Sequence, residues 1–363
     1  MTAAPPTTAD RLARLLADFD AGKPAALARA VSMVENQRDG FEQLLTTLHP
    51  RVGRARRIGV TGPPGAGKST LSTRLVNEYR AAGLRVGVIA VDPTSPFTGG
   101  ALLGDRVRME SVALDPGVFI RSLATRGSLG GVSSATRAVA DVLDAFGFDR
   151  IIIETVGVGQ SELDIARTAD STIVVLVPES GDSIQALKAG LMEIADLFVV
   201  NKADRPGAER VRNDIELMLG MRGGHALEAA PGHHGLDLKT LTNPGKAARE
   251  AARRDGAESW TPPVVLTVAH KGDGTPELAV LLDRHHHYLE AGGGLRERRL
   301  RRLREQVMDV AEYRLRRRLW NDSQVLAFID SVLPRIERGE VSPYGIADEL
   351  LIKGAPAIAR TSS

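Results

Sequence analysis

The chain of 363 residues has no cysteine, which excludes disulfides, thiolate zinc sites and cysteine nucleophiles and agrees with a reducing compartment. Neither charge sign dominates: 47 Lys and Arg stand against 45 Asp and Glu, so the total implies no polyanionic partner. Aromatic side chains make up only 4%, and few of them accompany the one crowded basic stretch, Arg296 to Arg318. That stretch interleaves acids among its arginines, which fits a solvated face on a dimerising or partner-docking helix better than a nucleic-acid track. No run of membrane-spanning length is free of charge, and Met1 to Asp10 lacks the basic-then-apolar order of a secretion signal. The expectation is a cytoplasmic protein with neither a nucleic-acid nor a membrane partner.

A hydrophobic content of 43% over this length allows a sizeable core and two or three folding units. From Ala9 to His49 apolar residues recur at helical spacing, which predicts two or three short helices. From Arg57 onward, short apolar runs alternate with helical patterns: Ile58 to Thr61, Val86 to Val91, Val118 to Ile120, Ile151 to Glu154, Thr172 to Val177, Leu197 to Asn201 and Val264 to Val268. Runs such as Ile151-Ile152-Ile153 are apolar on both faces, as in central strands of a parallel sheet covered by helices. The fold class expected is α/β, a P-loop NTPase with a mostly parallel sheet flanked by helices and with helical extensions at both ends. Its expected division is 1–55, 56–283 and 284–363. Within it, 220–263 reads as a polar excursion with a helical stretch near Lys246 to Arg254. Leu295 to Leu319 reads as an Arg-heavy helix, and a last helix follows Ser342-Pro343.

The most specific motif is Gly62-Pro63-Pro64-Gly65-Ala66-Gly67-Lys68-Ser69-Thr70, which has the spacing G-x-x-x-x-G-K-[ST] between a strand pattern and a helical one. Its glycines let successive N–H groups turn onto a polyphosphate, and the helix starting near Lys68 adds its positive dipole end. Acidic residues follow in order. Asp92 ends the second run, Asp105 lies after a Gly/Pro/Thr-rich loop, and Glu154 ends the run Ile151 to Ile153 just before Gly157. With Ser69 these three form the expected set of ligands for magnesium held with GTP or GDP.

Asn201-Lys202-Ala203-Asp204 selects the base. An Asp carboxylate accepts both N1–H and the exocyclic amino hydrogens of guanine, whereas adenine offers no such pair of donors. The next strand leads into Val268-Ala269-His270, where a backbone N–H, that of Ala269 first, is placed to meet the guanine carbonyl oxygen. Each residue has a plainer reading: Asp92 and Asp105 as turn carboxylates, Asn201 and Asp204 as a turn, Lys68 and Ser69 as a helix start. The order of the set favours the site over these. The clusters His285-His286-His287 and His233-His234 are not metal sets, because neighbours on a helix diverge and no carboxylate or cysteine completes them.

Two further runs, Glu154 to Glu162 (ETVGVGQSE) and Gly181 to Asp196 (GDSIQALKAGLMEIAD), resemble the MeaB/ArgK family of GTPases, to which the methylmalonic aciduria type A protein belongs. The resemblance spans nearly the whole chain. It implies a homodimeric GTPase that binds adenosylcobalamin-dependent methylmalonyl-CoA mutase, gates cofactor loading and protects the mutase. It also implies an extra switch loop from Asp182 to Lys188. Val268 departs from the family's usual Ser at that place. In the expected mechanism Lys68 holds the β- and γ-phosphates, while Glu154 and Gln160 are the candidates for orienting water. The competing readings are a kinase acting on a transport protein, a nickel-insertion GTPase and a non-catalytic nucleotide-binding scaffold.

Overall fold

The computed structural model describes residues 7–93, 109–125, 131–155, 161–178, 190–223 and 260–359. The chain divides into two compact units, Met1–Arg299 and Leu300–Ser363. In the first unit three helices, α1 (Thr8–Asp20), α2 (Pro24–Glu35) and α3 (Phe41–Leu48), precede the first strand. Then come β1 (Arg56–Thr61), α4 (Lys68–Ala81), β2 (Val86–Pro93), α5 (Glu110–Ala113), β3 (Val118–Thr125), α6 (Gly131–Ala145), β4 (Arg150–Thr155) and α7 (Ser161–Thr168). The unit continues with β5 (Ser171–Leu176), α8 (Met192–Ile194), β6 (Leu197–Asn201), α9 (Ala208–Gly223), β7 (Val264–Thr267) and α10 (Thr275–Ala291), which passes through residues 283 and 284. The long α11 (Gly294–Trp320) starts in this unit and continues into the next.

The seven strands form one sheet in the order β3-β2-β4-β1-β5-β6-β7, and every paired strand runs parallel to its neighbour. The double-sided apolar runs explain this arrangement. Ile151 and Ile153 join a core with Leu27, Val31 and Leu44 of the N-terminal helices. Ile152 points to the opposite face and packs with Leu71 and Leu75 of α4 and with Leu278 and Leu282 of α10. The N-terminal helices therefore complete one covering layer, with Phe19 edge-on to Phe146 at 4.8 Å. Chain order reverses at β1: β4, β2 and β3 lie to one side, β5 to β7 to the other. Such a reversal opens a crevice at the carboxyl ends of the strands, which is where the sequence motifs fall.

At the opposite edge, ion pairs that each include a buried member fasten the strand starts. Arg298 makes two 2.8 Å bonds to Asp196, Arg57 meets Asp141 at 2.6 Å, and Asp144 accepts N–H bonds from Gly53, Arg54 and Ala55. Burial alone raises the Asp196 carboxyl, but hydrogen bonds from Arg298 and His285 outweigh it and hold the group below the usual carboxylate range. His285 is wholly buried, with Nδ1 2.7 Å from Ser171 Oγ and its ring against Trp260. It therefore braces the sheet edge.

The second unit holds the rest of α11, then α12 (Ser323–Glu337) and α13 (Pro343–Ala359). The sequence reading does not include α12, which Asp322 caps by accepting from the N–H groups of Gln324 and Val325. Its small core consists of Leu319, Val325 and Leu350 with Phe328, Ile329 and Ile358 packed around them. Among the described residues no helix is long and apolar enough to cross a membrane.

Candidate functional site

The loop between β1 and α4 is shaped by glycine. Gly62 has φ +135°, and a Cβ there would fall 2.1 Å from the Val175 carbonyl oxygen. Gly67 has φ +88°, with a Cβ position 2.3 Å from Asn201 Nδ2. A side chain at either position meets both a clash and an unfavourable backbone region. Pro64, Gly65 and Thr70 are exposed, whereas Gly62, Pro63, Ala66, Lys68 and Ser69 are buried. Lys68 Nζ donates to the carbonyls of Gly62 at 2.8 Å and Pro63 at 2.9 Å. These bonds hold the ammonium across the loop, from which it can turn onto a polyphosphate.

Ser69 Oγ donates to Glu154 Oε1 at 2.6 Å, and both residues are buried. The pair joins the first turn of α4 to the end of β4, and Thr155 bonds Thr61 at 3.0 Å beside it. A hydroxyl and a carboxylate oxygen at the positive end of a helix are hard donors suited to magnesium, and they leave room for phosphate oxygens and water in its octahedral set. Asp92 stands at the same strand edge, its Cα opposite that of Ala124 in β3, but its side chain lies outside the described residues. Asp105 and Gln160 also lie outside them, as do the expected switch loop from Asp182 to Lys188 and the stretch Lys246 to Arg254.

Asn201 connects the two halves of the site. Its Nδ2 donates to the Ala66 carbonyl at 2.8 Å. Its Oδ1 accepts from Thr267 Oγ1 at 3.1 Å and from the Ala269 N–H at 3.0 Å. The Ala269 N–H expected to meet the guanine carbonyl is thus bonded to Asn201 in this structure. Lys202 adopts left-handed φ +58°, the Ala203 N–H bonds the Thr267 carbonyl at 3.0 Å, and Asp204 follows as an exposed residue. The turn is therefore fastened to the end of β7 at Ala203, with Asp204 next along the chain. Val268 and Ala269 are buried and His270 is exposed.

Sequence reasoning did not single out Arg74 on α4. Its Nε donates to the Ala269 carbonyl at 3.0 Å, and its guanidinium also bonds the His270 carbonyl. The only signal in the sequence is a helical position one turn beyond Thr70.

A family model described as methylmalonyl Co-A mutase-associated GTPase MeaB matches residues 27–324. The chain is 43% identical over 330 residues to a protein of Pyrococcus abyssi, covering 91% of this chain and 93% of that one. It is 30% identical over 352 residues to the mitochondrial methylmalonic aciduria type A homolog of Mus musculus, covering 93% of this chain and 78% of the relative. A crystal structure described as LAO/AO transport system kinase is similar with a TM-score of 0.60 and 27% identity, over 96% of this chain and 98% of the other.

Proposed function

The chain belongs to the MeaB family of GTPases, and from that premise we propose that it binds and hydrolyses GTP with magnesium as a chaperone of an adenosylcobalamin-dependent methylmalonyl-CoA mutase, gating its cofactor loading and protecting it. The observation that carries the nucleotide reading is the Asn201 bridge, which ties a phosphate loop to an Asp-bearing base turn at one sheet edge. Lys68 and the loop N–H groups hold the β- and γ-phosphates, Ser69 and Glu154 hold magnesium with Asp92 and Asp105, and Asp204 reads the guanine edge. Magnesium, when bound, neutralises charge on the β- and γ-phosphate oxygens. Glu154 and Gln160 orient the attacking water.

Phosphoryl transfer rests on positioning and charge neutralisation, so this set supports slow turnover that a bound partner accelerates. The mutase reads the nucleotide state through segments 93–108 and 156–188, the second of which includes α7 and β5, and their differential contacts with GTP and GDP shift its affinity. The protein acts as a homodimer in the cytoplasm. Leu300, Leu303, Val307 and Val310 recur at helical spacing and are all exposed, between 41% and 68%, in a unit whose own core is small. A second copy is the natural cover for that stripe.

Co-purification with an adenosylcobalamin-dependent mutase in GTP and in GDP tests partner and switch together. Retention that differs between the nucleotides is expected, and equal retention contradicts the switch. Multiple-turnover release of free phosphate separates hydrolysis from the transport-kinase reading, which instead requires acid-stable phosphate on an acceptor protein.

A further inference from the structure

The guanine reading above places an N–H of the β7–α10 loop against the 6-oxo group of the base, and the inference that follows rests on that reading. We infer that Arg74 is a positioning residue for base recognition, locking the peptide plane whose N–H meets the guanine carbonyl. Three observations lead there. Arg74 Nε holds the Ala269 carbonyl at 3.0 Å, and a second guanidinium nitrogen holds that of His270. The Ala269–His270 peptide is trans, so its N–H points opposite to its carbonyl, away from Arg74. That N–H belongs to His270 and bonds no described residue, whereas the N–H groups on either side are used, Ala269 by Asn201 and Lys271 by the Val268 carbonyl at 2.8 Å.

The loop is thus gripped on two sides. Asn201 holds it to the phosphate loop through Ala66, and Arg74 holds it to the helix that grows out of the phosphate loop. The donor left over is the His270 N–H. Fixing a peptide plane in advance removes an ordering cost when the base binds, and a planar guanidinium with several donors suits two adjacent carbonyls better than an ammonium does. Specificity for guanine then depends on a residue that never touches it. A carbonyl acceptor at position 6 is rewarded, and the amino group of adenine, a donor facing a donor, is rejected.

The experiment is calorimetric titration of wild-type protein, Arg74→Ala and Arg74→Lys with the diphosphates of guanosine, inosine, 2-aminopurine riboside and adenosine. Inosine keeps the 6-oxo group and lacks only the 2-amino group, while 2-aminopurine lacks the oxygen. Arg74→Ala is expected to weaken guanosine and inosine diphosphates alike by about tenfold, roughly the worth of one hydrogen bond, and to leave the 2-aminopurine nucleotide within about twofold. Arg74→Lys is expected to recover part of the loss and provides a second variant if the alanine protein is insoluble. A loss shared equally by all the nucleotides, or no loss at all, would overturn the role of Arg74 while the guanine reading stood. Wild-type protein that held adenosine diphosphate as tightly as guanosine diphosphate would overturn both.

Discussion

The Asn201 side-chain amide lies 2.8 Å from the carbonyl oxygen of Ala66, so the residue that opens the turn from Asn201 to Asp204 also bears on the loop between β1 and α4. Replacing it with alanine strips partners from the Ala66 carbonyl, the Thr267 hydroxyl and the Ala269 N–H together. The site is buried, and leaving such groups unpaired costs about 1–3 kcal/mol each before relaxation. Asn201→Ala is expected to lose about 2–4 kcal/mol of unfolding free energy and most nucleotide affinity. Urea denaturation beside nucleotide titration measures both, and an unchanged midpoint would contradict the bridge.

Lys68 is the cation that the loop carbonyls of Gly62 and Pro63 hold in reserve. Lys68→Ala removes the charge proposed to face the β- and γ-phosphates, and turnover is expected to fall by at least about a hundredfold. The variant also loses the two bonds to the Gly62 and Pro63 carbonyls, so the melting temperature of the apo protein is measured beside turnover to separate the two effects. Phosphate release under multiple-turnover conditions at the wild-type rate would refute the site.

Glu154→Gln keeps an oxygen that can accept from Ser69 Oγ but removes the negative charge beside it. The expected result is a higher magnesium requirement and a turnover reduced by about a hundredfold, with little change in melting temperature. Magnesium titrations of GTP hydrolysis for the two proteins provide the test. Identical half-saturating concentrations would show that this carboxylate is not part of the cation site.

At the far edge of the sheet, Asp196 supplies a pH dependence with a definite sign. Its folded carboxyl is held below the unfolded value of about 3.9, against the upward pull of burial, by Arg298 and His285. Stability from this group is therefore complete above the unfolded value and is lost as pH falls through the depressed one. Asp196→Asn is expected to cost about 1–2 kcal/mol at pH 7, because it removes the carboxylate that pairs with the partly exposed Arg298. It also makes unfolding free energy less steep in pH below about 4 than in the wild type. Equal slopes in urea titrations across that range would contradict the assignment.

The parallel sheet was legible because its strands are apolar on both faces, as Ile151 to Ile153 illustrate, and the phosphate loop because its glycine spacing answers a backbone requirement met at Gly62 and Gly67. Two strands run further than their apolar cores: β3 reaches Thr125 and β2 reaches Pro93, where pairing in register continues past the side chains that signal it. Helix α12 carries a local signal, Asp322 as a cap with Val325, Phe328, Ile329 and Val332 at helical spacing. Arg74 could not be found this way. Its partners lie 195 and 196 residues along the chain, and nothing local distinguishes it from any other helix arginine. The same holds for Asp196 and Arg298, 102 residues apart along the chain, which folding places 2.8 Å apart.

A guanine nucleotide is proposed to span this sheet edge, with Lys68 at its phosphates and Asp204 at its base. The most direct measurement is calorimetry of guanosine, adenosine and xanthosine diphosphates with wild-type protein and with Asp204→Asn. The wild type should favour the guanosine nucleotide over the adenosine one by about a hundredfold or more. The variant, whose amide can donate to the 2-oxo group of xanthine, should shift its preference to the xanthosine nucleotide. Equal binding of the adenosine and guanosine nucleotides by the wild type, or an unaltered order of preference in the variant, would contradict the claim.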